Sequence, residues 1–278
     1  MSRNKFAYLL LIFITLAHAP FSVFATNSNV LRIGSVAMDT PAVMHKRLLP
    51  LTKHLSSVLN REVKLKLSPD MSSAINDVVK GKVDIAYLTP VAYLKSHDKG
   101  NTQLVVKTVT NNKASFQLMI AVAEKSPIKS VQELSGKRFA FGDRAALLQR
   151  ATVVGANMPL DKLGKYSFLG HYDNIARSIL HGDYDAGILK DTKAFKWQGK
   201  GLRIIYESPH LPPYNLTARA NLDQGTLKKI RSALLGLDVN NNSHRKIIKS
   251  LSKKYTGFAE TSDAEYDVVR QLIKPFTQ

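Results

Sequence analysis

Cysteine is absent from all 278 residues, and that absence removes several classes of protein at once. No disulfide can staple the fold, no thiolate can act as nucleophile or zinc ligand, and no N-terminal cysteine is available for lipid attachment. Acidic residues are scarce as well: 21 Asp and Glu face 40 Lys and Arg, giving a formal net charge of +19. A field of that sign attracts anionic ligands or surfaces over long range without specifying which. The basic residues are spread along the chain, with denser stretches only at 53–66 and 245–254. They are not interleaved with aromatics in the RNP manner, so nucleic acid is not an expected partner. GxSxG, HExxH and P-loop patterns are missing, and the eight histidines lack metal-ligand spacing. His171 and Asp173, two residues apart on an expected loop, form neither a catalytic pair nor a metal site. No catalytic residue, metal or cofactor is therefore assigned.

Long apolar runs are confined to the N-terminus. The stretch MSRNKFAYLLLIFITLAHAPFSVFATN carries Arg3 and Lys5, an apolar run from Phe6 to Ala17, and Val23 and Ala25 at positions minus three and minus one. This is the pattern of a secretory signal peptide, residues 1–25, cleaved after Ala25. Its apolar run is shorter than the roughly 20 residues a spanning helix needs, so no membrane-spanning segment is expected after cleavage. An exported chain without a lipid anchor is most simply periplasmic. About 250 residues remain, enough for one large or two medium domains.

What is present is an alternation of strand and helix signals. VLRIGSVA, from Val30, reads as a strand; Thr40 and Pro41 then open a helix with an apolar stripe through Val43, Leu48, Leu51, Leu55 and Val58. A second strand covers 63–67, Ser68-Pro69-Asp70 caps a helix that ends at Gly81, and VDIAYL at 83–88 is a buried third strand before Thr89-Pro90 starts the next helix. This βαβαβ order implies a parallel α/β sheet. Segments 103–110 and 115–123 read as two strands joined by an Asn111-Asn112 turn. A second α/β unit follows, with strands at 138–141, 165–169, 186–189 and 203–207 and helices at 145–157, 173–181 and 192–197. After the Pro-rich PHLPPYN comes a strand at 215–219, and the remainder reads as helical at 224–237, 243–254 and 263–273. Two such units with a returning C-terminal part imply a cleft, with ligands expected beyond the carboxyl ends of the strands.

The stretches LRIGSVAMDTPAVMHKRLLPLTKHLSSVLNREVKLKLSPD, GKVDIAYLTPVAYL, SPIKSVQELSGKRFAFGD and GDYDAGILKDT resemble, in order and over most of the mature chain, the phosphate, phosphite and phosphonate-binding proteins of ABC importers. The resemblance implies an α/β, two-lobed type II periplasmic binding-protein fold with a ligand cleft between the lobes. It divides the chain into a first part of lobe 1 at 26–120, lobe 2 at 121–214, and a return to lobe 1 at 215–278 with C-terminal helices. After FGD the family carries Pro, a variable residue and Ser-Thr-Ser, whose hydroxyls and amides hold the phosphonate. Here the stretch is Arg144-Ala145-Ala146-Leu147-Leu148. A family aromatic aligns with Met71, and another with Leu88, beside Tyr87. The family histidine falls on His171 or Tyr172, according to the placement of a one-residue gap. Acidic groups that bind a ligand amine align near Thr192 and Tyr214, so an aminoalkylphosphonate is not expected.

The candidate ligand contacts are therefore Met71, Tyr87 and Thr89 from the first lobe and Arg144, His171, Tyr172 and Lys190 from the second, with Tyr214 near the crossover as either a pocket wall or a hinge packing residue. At the FGD helix two readings compete. Asp143 as N-cap would accept from the amides an anion needs and repel that anion, leaving Leu147, Leu148, Ala151 and Val154 as a core face. Alternatively, Arg144 would present a charged fork to a planar oxyanion. Thr89 would either cap its own helix or face a ligand, and Trp197 would either stack on a ligand or pack. The expected function is a periplasmic solute-binding protein that closes on a small anionic ligand for an ABC permease or a membrane sensor. Its rival is a non-transport interaction protein of the cell envelope that docks on a membrane partner or an anionic surface. A cleft lined by Arg144 and Lys190 favours the first, and one plugged by Met71, Leu147 and Leu148 the second.

Overall fold

The computed structural model describes residues 30–35 and 39–277; the expected signal peptide lies outside them. In chain order the first part contains β1 (Val30–Ser35), α1 (Pro41–Leu59), β2 (Glu62–Leu67), α2 (Met71–Val79), β3 (Ile85–Leu88), α3 (Pro90–Gly100) and β4 (Gln103–Thr110). Next come β5 (Leu118–Ala123), β6 (Arg138–Phe141), α4 (Leu147–Gly155), β7 (Lys165–Phe168), α5 (Tyr172–Leu180), β8 (Ala186–Lys190), α6 (Asp191–Trp197) and β9 (Leu202–Glu207). The chain ends with β10 (Asn215–Ala218), α7 (Gln224–Leu235), α8 (Asn242–Leu251), β11 (Tyr255–Ala259) and α9 (Asp267–Ile273). Two sheets result, β11-β4-β10-β3-β1-β2 and β7-β6-β8-β5-β9. Each has a parallel part, β2-β1-β3 and β7-β6-β8, flanked by antiparallel strands.

Local chemistry sets the helix boundaries. Asp70 caps α2 by accepting from the Ser73 amide at 2.8 Å, and Asp223 caps α7 by accepting from Thr226 at 2.7 Å. Asn60 and Asn101 close α1 and α3 in the left-handed conformation that asparagine tolerates. Apolar stripes do the rest: Leu48, Leu51 and Leu55 of α1 are fully buried with Ile33, Val106, Ile230 and Ile248 in the first lobe.

The reading of 103–123 as a hairpin is corrected. The Asn111-Asn112 turn does form, with φ of 48° and 62°, and Thr110 and Lys113 exchange backbone hydrogen bonds across it. Beyond it the chain crosses to the second sheet, because β4 is already flanked by β10 and β11 and offers no free edge. Position 120 therefore falls within β5, a strand of the second sheet. The helix expected over 243–254 stops at Leu251, and Tyr255–Ala259 is a strand. α9 packs chiefly on α4, where Tyr266, Val269 and Ile273 share a core with Phe139, Leu148 and Val153. Tyr93 and Leu94 of α3 join the same core, making the apolar seam continuous from one lobe to the other.

In the second lobe α5 lies close on the sheet at Gly187. A Cβ there would come within 2.5 Å of the Ile175 side chain and 2.9 Å of the Ala140 carbonyl oxygen. Gly187→Ala is expected to destabilise the fold by about 1–3 kcal/mol, the range for overpacking a tight core, with the loss read in the midpoint of chemical denaturation.

Candidate functional site

Tyr87, at the carboxyl end of β3, shares a hydrogen bond of 2.6 Å with the hydroxyl of Tyr255 at the start of β11 and stacks on Tyr214, with ring centroids 5.2 Å apart. Antiparallel pairing makes this cluster, since β10 places Leu216 opposite Tyr87 and β11 runs beside β4. Burial and the neighbouring Tyr255 and Tyr214 push the Tyr87 pKa well above the usual tyrosine range. Burial also raises Tyr214, helped by Tyr255 and by Tyr172 and Asp143 from the other lobe. These phenols stay protonated and act as neutral hydrogen-bonding groups. Tyr87, Tyr214 and Tyr255 line a cavity of about 640 Å³ together with Arg47 of α1 and residues 249–254.

The start of α4 is occupied from within. Asp143 is not the N-cap; its Oδ1 accepts from the Ala145 amide at 2.8 Å in an Asx turn, and the N-cap is Ala146, without a side-chain bond. The Ala146, Leu147 and Gln149 amides donate to the carbonyls of Asp143, Ala145 and Ala146 at 3.0, 2.9 and 3.1 Å. Four amides of this turn, two before the helix and two in its first turn, are thus engaged internally. Leu148, Ala151 and Val153 are buried, while Leu147 and Val154 are only partly so, a core face displaced by one residue from the expected one. Gln149, 5% exposed, locks the turn: its Oε1 accepts from the Gly142 amide at 2.7 Å and its Nε2 donates to the Tyr172 hydroxyl at 3.2 Å. Burial raises the Tyr172 pKa to about 12, against the opposing effect of the Gln149 bond.

Lys190, the last residue of β8, enters a smaller cavity of about 260 Å³ that also receives Lys254, Lys113, Asp191 and Phe116. Its Nζ stands 4.6 Å from the centre of the Phe116 ring, a cation–π contact, and it forms no ion pair among the described residues. Burial lowers its pKa; Asp191 works against that shift, and Lys254 adds to it. The Asp191 carboxylate accepts from the Thr192 amide at 2.6 Å and the Gln117 amide at 3.3 Å.

The candidates therefore separate. Tyr87 and Tyr214 line the larger cavity and Lys190 the smaller, while Tyr172 sits behind them on Gln149. Met71, Thr89, Arg144 and His171 line neither. Met71 packs on the core around Ala74, Ile75 and Leu88, and the Thr89 hydroxyl accepts from the Ala92 amide at 3.2 Å, capping α3. Arg144 lies exposed over Phe168, 4.8 Å from its ring centre, because that edge-strand aromatic offers a face at the turn. His171 is exposed at the N-cap of α5. Trp197 packs, donating to Asp173 at 3.3 Å under Lys196. The plug imagined from Met71, Leu147 and Leu148 does not form in either cavity; Leu147 and Leu148 belong to the α4 core. Arg47, Gln149, Lys254 and Tyr255 were not anticipated. YTGFA, an alternation of aromatic and small or β-branched residues just after Lys253-Lys254, is the signal that could have located Tyr255.

Residues 33–266 match the sequence profile of the ABC transporter phosphonate periplasmic substrate-binding proteins. The chain belongs to this family. A probable ABC transporter phosphite binding protein of Prochlorococcus marinus is 23% identical over 278 residues, covering 91% of this chain and 93% of that protein. Its structure in complex with methylphosphonate has a TM-score of 0.70, with 19% identity over 90% of this chain and 99% of that one. A Xanthomonas citri protein bound to chloride ion has a TM-score of 0.72, with 19% identity over 88% and 96%. Among the described residues no three or more His, Asp or Glu side chains are grouped to hold a metal ion, and no helix is long and apolar enough to cross a membrane.

Two measurements probe this site. Gln149→Ala leaves the Gly142 amide and the Tyr172 hydroxyl without their partner, and a loss of about 1–3 kcal/mol in unfolding free energy is expected, the cost of orphaned buried polar groups. At the start of α5, hydrogen bonding from Lys193 holds the Asp173 carboxyl at about 2, below its ordinary 3.8. A depressed carboxyl stabilises the fold fully above its unfolded pKa and loses that contribution as pH falls through the folded value. The slope of unfolding free energy against pH between about 4 and 2 should accordingly be shallower in Asp173→Asn than in the parent protein.

Proposed function

We propose that this member of the phosphonate-binding family is a periplasmic solute-binding protein, exported with cleavage after Ala25, that takes a small anion between its lobes and presents it to an ABC permease or a membrane sensor. One observation carries the proposal: cations from both lobes, Lys254 from the first and Lys190 from the second, line one cavity at the crossover, and Arg47 joins Lys254 in the larger cavity on the first lobe. An anion touching both lobes favours the closed arrangement by its higher affinity for that state, and the partner reads the closed shape. The work is binding rather than catalysis. Neutral phenols from Tyr87, Tyr214 and Tyr255 add hydrogen-bonding groups without adding charge, which suits a ligand that brings its own negative charge.

A second reading, docking of a non-transport protein on a membrane partner or anionic surface, draws on a different feature. Helices α1, α7 and α8 contain nine Lys and Arg and no Asp or Glu, and Lys46, Lys53, Lys228, Lys229 and Lys246 form no ion pair among the described residues. Thermal unfolding of protein refolded free of ligand separates the two readings. At an anion concentration of about 100 times Kd, binding stabilises by about 2.7 kcal/mol, which for a chain of this size shifts Tm by roughly 5–10 °C. A saturable shift with at least one of phosphate, phosphite, methylphosphonate, sulfate or a small carboxylate is expected. A cooperatively unfolding sample that responds to none of them would sink the solute-binding proposal and leave docking.

A further inference from the structure

From the side chains at the crossover we infer that the anion seat of this protein is the cavity between Lys190 and Lys254, not the start of α4. The inference rests on the anion-binding reading above and specifies where the anion sits. Two observations converge on it. First, the amides of Ala145, Ala146, Leu147 and Gln149 are spent on internal acceptors, and the Asp143 carboxylate stands at that turn; an anion arriving there would meet a negative charge and few free donors. Second, the crossover cavity gathers three ammonium groups, on Lys113, Lys190 and Lys254, against the single carboxylate of Asp191, both of whose oxygens already accept backbone amides.

An ammonium taken partly out of water is costly unless a counter-charge or hydrogen-bond acceptors meet it. Lys190 has an aromatic face at 4.6 Å, a neighbouring lysine of like charge and the nearby Asp191 carboxylate, with which it forms no ion pair. A bound oxyanion supplies the missing counter-charge to both lysines at once. Because Lys190 ends a second-sheet strand and Lys254 precedes a first-sheet strand, the same anion ties the two lobes together.

The test uses the mature chain, freed of ligand by refolding, with phosphate, methylphosphonate and phenylphosphonate as probes in calorimetry and thermal unfolding. Lys190→Met and Lys254→Gln should each weaken binding of the anions that the parent protein takes at least tenfold. Lys46→Gln on α1, which removes the same charge away from the cavity, and Arg144→Gln should stay within twofold of the parent. Without anion, Lys190→Met should unfold at the same or a higher temperature, since it removes an unneutralised charge; a purely structural lysine would give the opposite. Parent-like affinity in both cavity variants, or a loss confined to Arg144→Gln, overturns this seat while the solute-binding reading stands. A parent protein that none of the three anions stabilises overturns the seat, and the wider reading then falls or stands with the other anions named above.

Discussion

The geometry of the second lobe turns on one buried amide. Gln149 accepts from the first residue after β6 and donates to the first residue of α5, so a single side chain fixes two strand-to-helix turns relative to each other. It can do so only because position 142 is glycine: a Cβ there would stand 2.8 Å from the Gln149 Nε2. Once the amide is in place, several features follow. The chain from Gly142 to α4 is held in a compressed entry, with Ala146 at φ −78° and ψ 71°, the inverse γ-turn region. Asp143 closes an Asx turn instead of capping the helix, and Tyr172 is drawn inward while His171 is left in solvent.

That entry also sets the electrostatic character of the cleft. A helix start with free amides is an anion site of modest charge, built from neutral dipoles. A start several of whose amides are engaged and whose loop carries a carboxylate has less to offer an anion. The positive groups lie instead at the end of β8 and before β11, where Lys190 and Lys254 meet the crossover segment. Ammonium groups differ from amides in what they demand. An unbound amide turn can close on its own carbonyls, as this one does, whereas a partly buried lysine remains charged or loses its proton at a cost. The tyrosine cluster stays neutral throughout, because burial raises each phenol well away from neutral pH.

Much of this framework was legible in the sequence. The βαβαβ order, the Asp70 cap and the Thr89-Pro90 helix start follow from local propensity and are found as read. Tyr87 and Lys190 could be placed in the cleft because strand ends in open α/β sheets converge there. What could not be read was long-range pairing. Whether 115–123 folds back on 103–110 depends on whether β10 and β11 have already taken both edges of β4, and those strands lie more than a hundred residues downstream. The same distance hid Tyr255, whose role comes from a hydroxyl contact with Tyr87 across 168 positions. Gln149 was overlooked because a glutamine on a helix face has no periodic signature; its burial is decided by Gly142 and Tyr172, neither of which announces a partner.

The apolar seam constrains how the two lobes can use a ligand. Tyr93 of α3 and Tyr266 just before α9 meet edge to face at 4.6 Å, and Tyr93 donates to Asp263, which Arg270 also holds. α9 in turn lies on α4, so the first-lobe helix α3 and the second-lobe helix α4 are joined through the C-terminal segment as well as through the crossovers. Any rotation between the lobes must slide or spare this packed contact, and close-packed interfaces resist continuous deformation. A ligand shifts such an equilibrium only by the difference between its contacts in the two states. An anion held between Lys190 of one lobe and Lys254 of the other would gain contacts as the lobes approach, and that gain is the differential affinity by which it would favour closure.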